Sequence, residues 1–171
     1  HAISELARRG HELASHGWSH RMDLEHLDQA SLDREIGLTS RALAELGGRA
    51  PLGYRAPGYA AGPLVLAACV RAGIRYDGSC LPTPWNWALR WMAGRLRARV
   101  CRQWGNKPLC RQVSGQYGHG GPRQPQWMTP VADCAPILRL PLAVWPGLGV
   151  PLQASIGMLL GERFVRSGLR R

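Results

Sequence analysis

Apolar and polar positions in the first 83 residues repeat with two periods. In AISELARRG, Ile3, Leu6 and Ala7 share one helical face and Gly10 stands where helices commonly end, so the chain opens on the end of a helix. HELASH alternates as a short strand and runs into a polar loop containing glycine and histidine. From about Ser31 to Leu46, the residues Leu32, Ile36, Leu43 and Leu46 return at helical spacing, and Gly47-Gly48 stop the run. PLGYRAP predicts a short strand entering a turn, Pro63 opens a helix that Gly73 closes, and IRYDGS predicts another strand. Helices alternating with short strands predict an α/β fold with parallel strands.

After Ser79 the pattern changes. No Asp or Glu occurs from Gly78 to Ala132, whereas Arg90, Arg95, Arg97, Arg99, Arg102, Lys107, Arg111 and Arg123 all fall there. Trp85, Trp87, Trp91, Trp104 and Trp127 lie in the same stretch. Trp85, Leu89, Met92, Leu96 and Val100 form one helical stripe with arginines on its flanks. Residues 105–130 predict a Gly/Pro/Gln-rich loop, ILRLPLAVW a strand, and GLGVPLQASIGMLLGERF a loop leading into a short final helix. The 85–134 stretch therefore predicts a basic, Trp/Arg-rich insertion within a single domain spanning 1–171.

Composition narrows the class. The 171 residues are 45% hydrophobic and 19% charged, enough for a core and incompatible with global disorder. No apolar run approaches the roughly 18 residues of a membrane span, and the first residues lack a secretory apolar segment. The visible sequence favours a cytoplasmic or membrane-peripheral location and leaves room for a signal upstream of His1. The formal net charge is +11, with Lys107 the single lysine among 22 basic residues, a bias that reflects genome composition more than chemistry. Cys69, Cys80, Cys101, Cys110 and Cys134 form no C-x-x-C pair, so neither a zinc ribbon nor a thioredoxin-type site is expected, and buried or incidental thiols are the favoured reading.

The densest chemical signal is SHGWSH, residues 15–20. His16 and His20 are four apart, and a helical or tightly turned backbone places both imidazoles on one side, as two ligands of one metal require. The pair follows a candidate strand, where α/β barrels hold their active-site groups. Zinc needs at least one further ligand; Asp23 is nearby, but no spacing rule selects it. The second signal is YRAPGY, residues 54–59, where Arg55 stands at a strand end beside a Pro/Gly turn. Such an arginine can orient a carboxylate base, and N–H groups at the turn can stabilise an oxyanion. Asp77 in IRYDGS follows a strand, a position that forms turns as readily as it serves a site.

In order, GHELASHGWSH, GYRAPGY and RYDGS resemble the polysaccharide deacetylases of carbohydrate esterase family 4, the NodB-homology fold. The family's His-x-x-x-His motif is matched by His16-Gly17-Trp18-Ser19-His20, with Gly17 in place of the usual Ser or Thr. Its third motif, an Arg followed by Pro and an aromatic, is matched by Arg55-Ala56-Pro57-Gly58-Tyr59. Asp77 falls where the family's fourth motif would lie, without the Asp-Trp form. The resemblance implies a distorted (β/α) barrel and metal-dependent removal of an acetyl group from a sugar, polysaccharide or glycolipid. It implies a divalent cation, typically Zn2+, on His16 and His20, a base oriented by Arg55, and an oxyanion-binding N–H near Gly58. It also implies a sugar site walled by Trp18, Pro57 and Tyr59 with Asp77 beside it, although packing under the metal loop is an equal reading of Trp18. The family's Asp-Asp pair and its Leu-His motif have no counterpart here, so the expectation is a partial domain, incomplete at both ends, whose isolated 171 residues do not deacetylate.

Two other readings compete. One is a deacetylase-like domain without catalysis. The other is a basic amphipathic binding module, in which residues 85–102 contact an anionic membrane or glycan; nucleic acid is disfavoured because no recognition motif accompanies the charge. A peptide spanning residues 85–102 is expected to co-sediment with anionic liposomes if the membrane reading holds, and recovery in the supernatant removes it. Oligomeric state is not encoded in any pattern found.

Overall fold

The structure is a computed structural model of the chain and describes residues 2–59, 61–83, 122–145, 149, 152, 163 and 166. Among the described residues, the helices α1 (Ala2–Arg8), α2 (Gln29–Gly47) and α3 (Pro63–Arg71) accompany the strands β1 (Gly53–Tyr54), β2 (Tyr76–Asp77), β3 (Gln126–Met128) and β4 (Ile137–Arg139). The predicted Trp85–Val100 helix, most of the predicted 105–130 loop and most of the predicted final helix lie outside the described residues.

The helix ends follow from local chemistry. Asp28 caps α2 by accepting the Ser31 N–H at 2.8 Å, and Pro63 occupies the first turn of α3, where a missing N–H leaves no bond unmade. Gly10 and Gly73 adopt φ of +83° and +81° after α1 and α3. At each, two backbone bonds turn the chain back on the last carbonyls: Gly10 N to Ala7 O and His11 N to Leu6 O, then Gly73 N to Val70 O and Ile74 N to Cys69 O. This is the Schellman arrangement, and the second copy delivers Ile74 into the core.

The sheet runs in the order β1-β2-β4-β3. β1, β2 and β4 are parallel, with Tyr54 opposite Asp77 and Asp77 opposite Arg139. β3 returns antiparallel along the edge, pairing Trp127 with Leu138. This strand falls inside the stretch predicted as loop. Its partner β4 supplies the hydrogen bonds that the Gly/Pro/Gln composition does not announce. HELASH forms a single parallel bridge, Ser15 to Tyr54, rather than a full strand. Parallel strands alternating with α2 and α3 are what a segment of an α/β barrel requires.

The core lies between the sheet and the helices: Tyr54, Ala56 and Ile137 meet Leu32 and Ile36 of α2, and Val65, Leu66 and Cys69 of α3. On α2 the buried residues are Leu32, Glu35, Ile36 and Ser40, while Leu46, expected on the buried face, is 48% exposed in the last turn. Among the described cysteines Cys69, Cys80 and Cys134 are free thiols, the first two buried. Among the described residues no helix is long and apolar enough to cross a membrane.

Candidate metal and active site

Because β1, β2 and β4 are parallel, the segments after them emerge at one edge of the sheet, together with the loop that follows Ser15. Backbone bonds join them there. Ser15 and β1 exchange Ser15 N to Gly53 O (2.8 Å) and Arg55 N to Ser15 O (2.9 Å), while Gly78 N reaches Tyr54 O and Leu140 N reaches Asp77 O, each at 2.8 Å. SHGWSH and YRAPGY, 39 positions apart from His16 to Arg55, thus become neighbours.

The His16 and His20 rings meet edge to face with centroids 5.0 Å apart. Neither is on a helix; the turn is made by Gly17 at φ +82° and His20 at φ +53°. His16 Nδ1 lies 2.6 Å from the Arg55 carbonyl oxygen. A carbonyl only accepts, so Nδ1 is the donor and Nε2 is the nitrogen left to face a metal, the arrangement found in metal-ligating histidines. Two imidazole nitrogens suit zinc or a similar divalent cation. Among the described residues no third His, Cys, Asp or Glu joins them. Asp23 is instead engaged by Arg21 through a two-pronged contact at 2.7 and 2.9 Å, which holds its carboxyl below the usual range. The residues present therefore fit two positions of a coordination shell.

The second loop locks onto the first. Pro57 lies against Gly17, and the Met22 methyl group fills the space beside Gly58 Cα, where φ is +62°. A Cβ on Gly58 would approach Met22 Cε to 2.6 Å. Gly58→Ala is therefore expected to destabilise the chain by about 1–2 kcal/mol, chiefly from the left-handed backbone. A denaturant midpoint unchanged from wild type would contradict this. Tyr59 adopts φ +61° and its N–H closes the turn on Ala56 O at 3.0 Å. Trp18 is 57% exposed beside the two histidines in sequence, and Pro57 is buried.

Arg55 is exposed, and its Nε donates to the Gly78 carbonyl at 3.0 Å, so the guanidinium is held over the end of β2. Asp77 is fully buried. Its Oδ1 accepts the Ser79 N–H at 2.9 Å and its Oδ2 lies 3.3 Å from Arg139 Nε. Burial pushes the Asp77 carboxyl up, and Ser79 and Arg139 pull it part of the way back. Ser79 Oγ in turn accepts the Ala56 N–H at 2.8 Å. Asp77 thus ties the ends of β1, β2 and β4 together instead of presenting an open carboxylate. A shallow hollow of about 460 Å³, lined by Arg123, Pro125, Leu140 and Leu142 among others, lies beyond β4 and includes none of the histidine-loop residues.

Three participants were not singled out by sequence. Glu35 binds Ser19 from α2, Arg139 pairs with Asp77, and Met22 packs on Gly58. The first two had a signal: each is a charge set in an otherwise apolar stripe or strand, the kind of position that calls for a partner.

Residues 1–76 match the polysaccharide deacetylase family profile. A search of curated proteins gives no match. Among solved structures, one from Mycobacterium smegmatis assigned to the polysaccharide deacetylases is 21% identical, covering 82% of this chain and 34% of its own, with a TM-score of 0.53. The Puue allantoinase is 19% identical, covering 84% of this chain and 34% of its own, with a TM-score of 0.50. A family 4 carbohydrate esterase from Streptomyces lividans, in complex with acetate, is 24% identical over 51% of this chain and 46% of its own, with a TM-score of 0.41. The chain spans about a third of the length of the first two, and at these identities the likeness carries the fold. The profile match covers both histidines, Arg55 and the Gly58-Tyr59 turn, so the part of the chain that holds the site is similar to the polysaccharide deacetylases.

Proposed function

We propose that the chain carries the metal-binding and oxyanion-binding part of a hydrolase that removes acetyl groups from a sugar, polysaccharide or glycolipid. The observation that carries this reading is the His16–His20 pair, with His16 Nδ1 donating to the Arg55 carbonyl. A divalent cation, zinc by the donor chemistry, would be held by these imidazoles and would supply Lewis acidity to a water and an acetyl carbonyl. Around it, the chain's own groups have separate tasks. Arg55 offers a fixed positive charge over the end of β2, suited to orienting a carboxylate base. The backbone at Gly58 offers an N–H toward a developing oxyanion. Trp18 and Tyr59 present aromatic surface to a sugar ring.

Neither proton-transfer group is present among the described residues at this edge: Asp77 and Glu35 are buried and engaged, and Asp23 is paired with Arg21. The 171 residues alone are therefore proposed not to deacetylate. The fold does not select the substrate, since an allantoinase shares it, so the sugar rests on the family match. Acetate release from N-acetylchitooligosaccharide and from an O-acetylated glycan tests the reading. The 171-residue chain is expected to release none. The whole gene product containing it is expected to release acetate and to lose this with His16→Ala. Acetate release that survives His16→Ala, or a whole gene product that binds no divalent cation, overturns the assignment in favour of a non-catalytic relative.

A further inference from the structure

Glu35 is the unexplained group at this site. It sits on the buried side of α2 between Leu32 and Ile36, with 7% of its surface exposed, where helical periodicity calls for an apolar residue. Its position is not inherited from the packing of α2, because a leucine there would extend the stripe. Both carboxylate oxygens are spent on one residue: Oε1 accepts the Ser19 N–H at 2.6 Å and Oε2 accepts the Ser19 hydroxyl at 2.9 Å. Ser19 directly precedes His20 and follows His16 by three. The same Oε1 stands 3.3 Å from where a Cβ of Gly17 would lie, so the carboxylate occupies the space that a side chain at 17 would need. Gly17 at φ +82° and His20 at φ +53° are both in the left-handed region, which His20 enters only at a conformational cost. A two-pronged bond from a buried anion to the residue between them offsets that cost.

We propose that Glu35 is a positioning residue of the histidine loop: anchored on α2, it grips Ser19 and thereby sets the spacing and angle of the His16 and His20 imidazoles. It is neither a ligand nor a base. Loss of the grip frees the loop to relax from φ +53° at His20 and lets the rings separate. The relevance to metal rests on the proposed function above, but the geometric claim does not, and the two are testable apart.

The test uses the full 171-residue chain in two measurements. The first is the NMR cross-relaxation between His16 and His20 ring protons in metal-free protein. The second is a titration with zinc ion alone. In Glu35→Ala the ring-to-ring cross-peak is expected to vanish and zinc affinity to fall by about 10–100-fold, the range for losing an outer-shell partner. Glu35→Gln is expected to restore both, because its carbonyl still accepts the Ser19 N–H and its amide donates to the hydroxyl. Ile36→Val trims the same helix one residue away and is expected to leave both unchanged. Ser19→Ala, which deletes the 2.9 Å bond and leaves α2 intact, is expected to weaken the cross-peak in the same direction even if Glu35→Ala does not fold. An unchanged cross-peak in Glu35→Ala and Ser19→Ala, or an equal loss in Ile36→Val, overturns the proposal. If the cross-peak follows Glu35 while His16→Ala leaves zinc binding untouched, the positioning role stands and the metal reading fails. If zinc binding needs His16 but neither measurement responds to Glu35, the positioning role fails alone.

Discussion

Asp77→Ala is expected to lower the unfolding free energy by about 3–5 kcal/mol, the range for removing one partner of a buried ion pair. Asp77 is wholly buried, and Arg139, its partner, has a side chain only 12% exposed. Truncation leaves the Arg139 charge without its counter-ion and the Ser79 N–H without an acceptor. Ser79 holds the Ala56 N–H, so the disturbance reaches the turn that carries Gly58. Denaturant unfolding of the metal-free chain checks this, and a loss below about 1 kcal/mol would show that the pair is not structural. Asp77→Asn keeps an acceptor for Ser79 and is expected to cost less.

The same residue sets a pH dependence. Because burial raises the folded Asp77 pKa above its ordinary value of 3.8, its titration contributes stability that is fully present below 3.8 and is lost as pH rises through the folded value. Wild type is therefore expected to gain on Asp77→Asn as pH falls from neutrality toward 4. Glu5, Asp23 and Asp28 have lowered pKa values and act in the opposite sense, losing stability as acid protonates them. They are common to both proteins and cancel in the comparison. A difference that is flat across that range would show that Asp77 ionises as readily folded as unfolded.

His16→Ala is expected to reduce zinc affinity by more than about 100-fold, or more than about 2.7 kcal/mol, since losing a ligand exceeds the usual cost of losing its outer-shell support. His20→Ala should match it, because the rings share one place. Trp18→Ala, between them in sequence but 57% exposed, should leave zinc affinity unchanged. Isothermal titration distinguishes these outcomes. Equal affinity in wild type and His16→Ala would remove the pair as a metal site, while a loss in Trp18→Ala would indicate that the indole supports the loop rather than a sugar.

The secondary structure around this site was legible because its causes are local. Pro63 and the glycines at 10, 48 and 73 act within a few residues, through a missing N–H or access to positive φ, whereas the Asp28 cap, and with it the start of α2 at Gln29 rather than near Ser31, was not read from the sequence. The His16–His20 and Arg55–Tyr59 motifs were legible as residue types at short spacing. Strand β3 was not, because a three-residue edge strand is defined by its partner β4 rather than by its own sequence. Leu46 misled for the related reason that periodicity names a face but not whether anything covers it.

What the sequence determined by itself is therefore the α/β class, the glycine stops of the three described helices and the identity of the candidate ligands. The tertiary structure alone decided that the two motifs meet, that Asp77 is a buried tie to Arg139, and that Glu35 holds Ser19 from another element. Those facts depend on strand register and on contacts between residues 16 to 62 positions apart, where the Coulomb and hydrogen-bond terms depend on distance in space and not on separation along the chain.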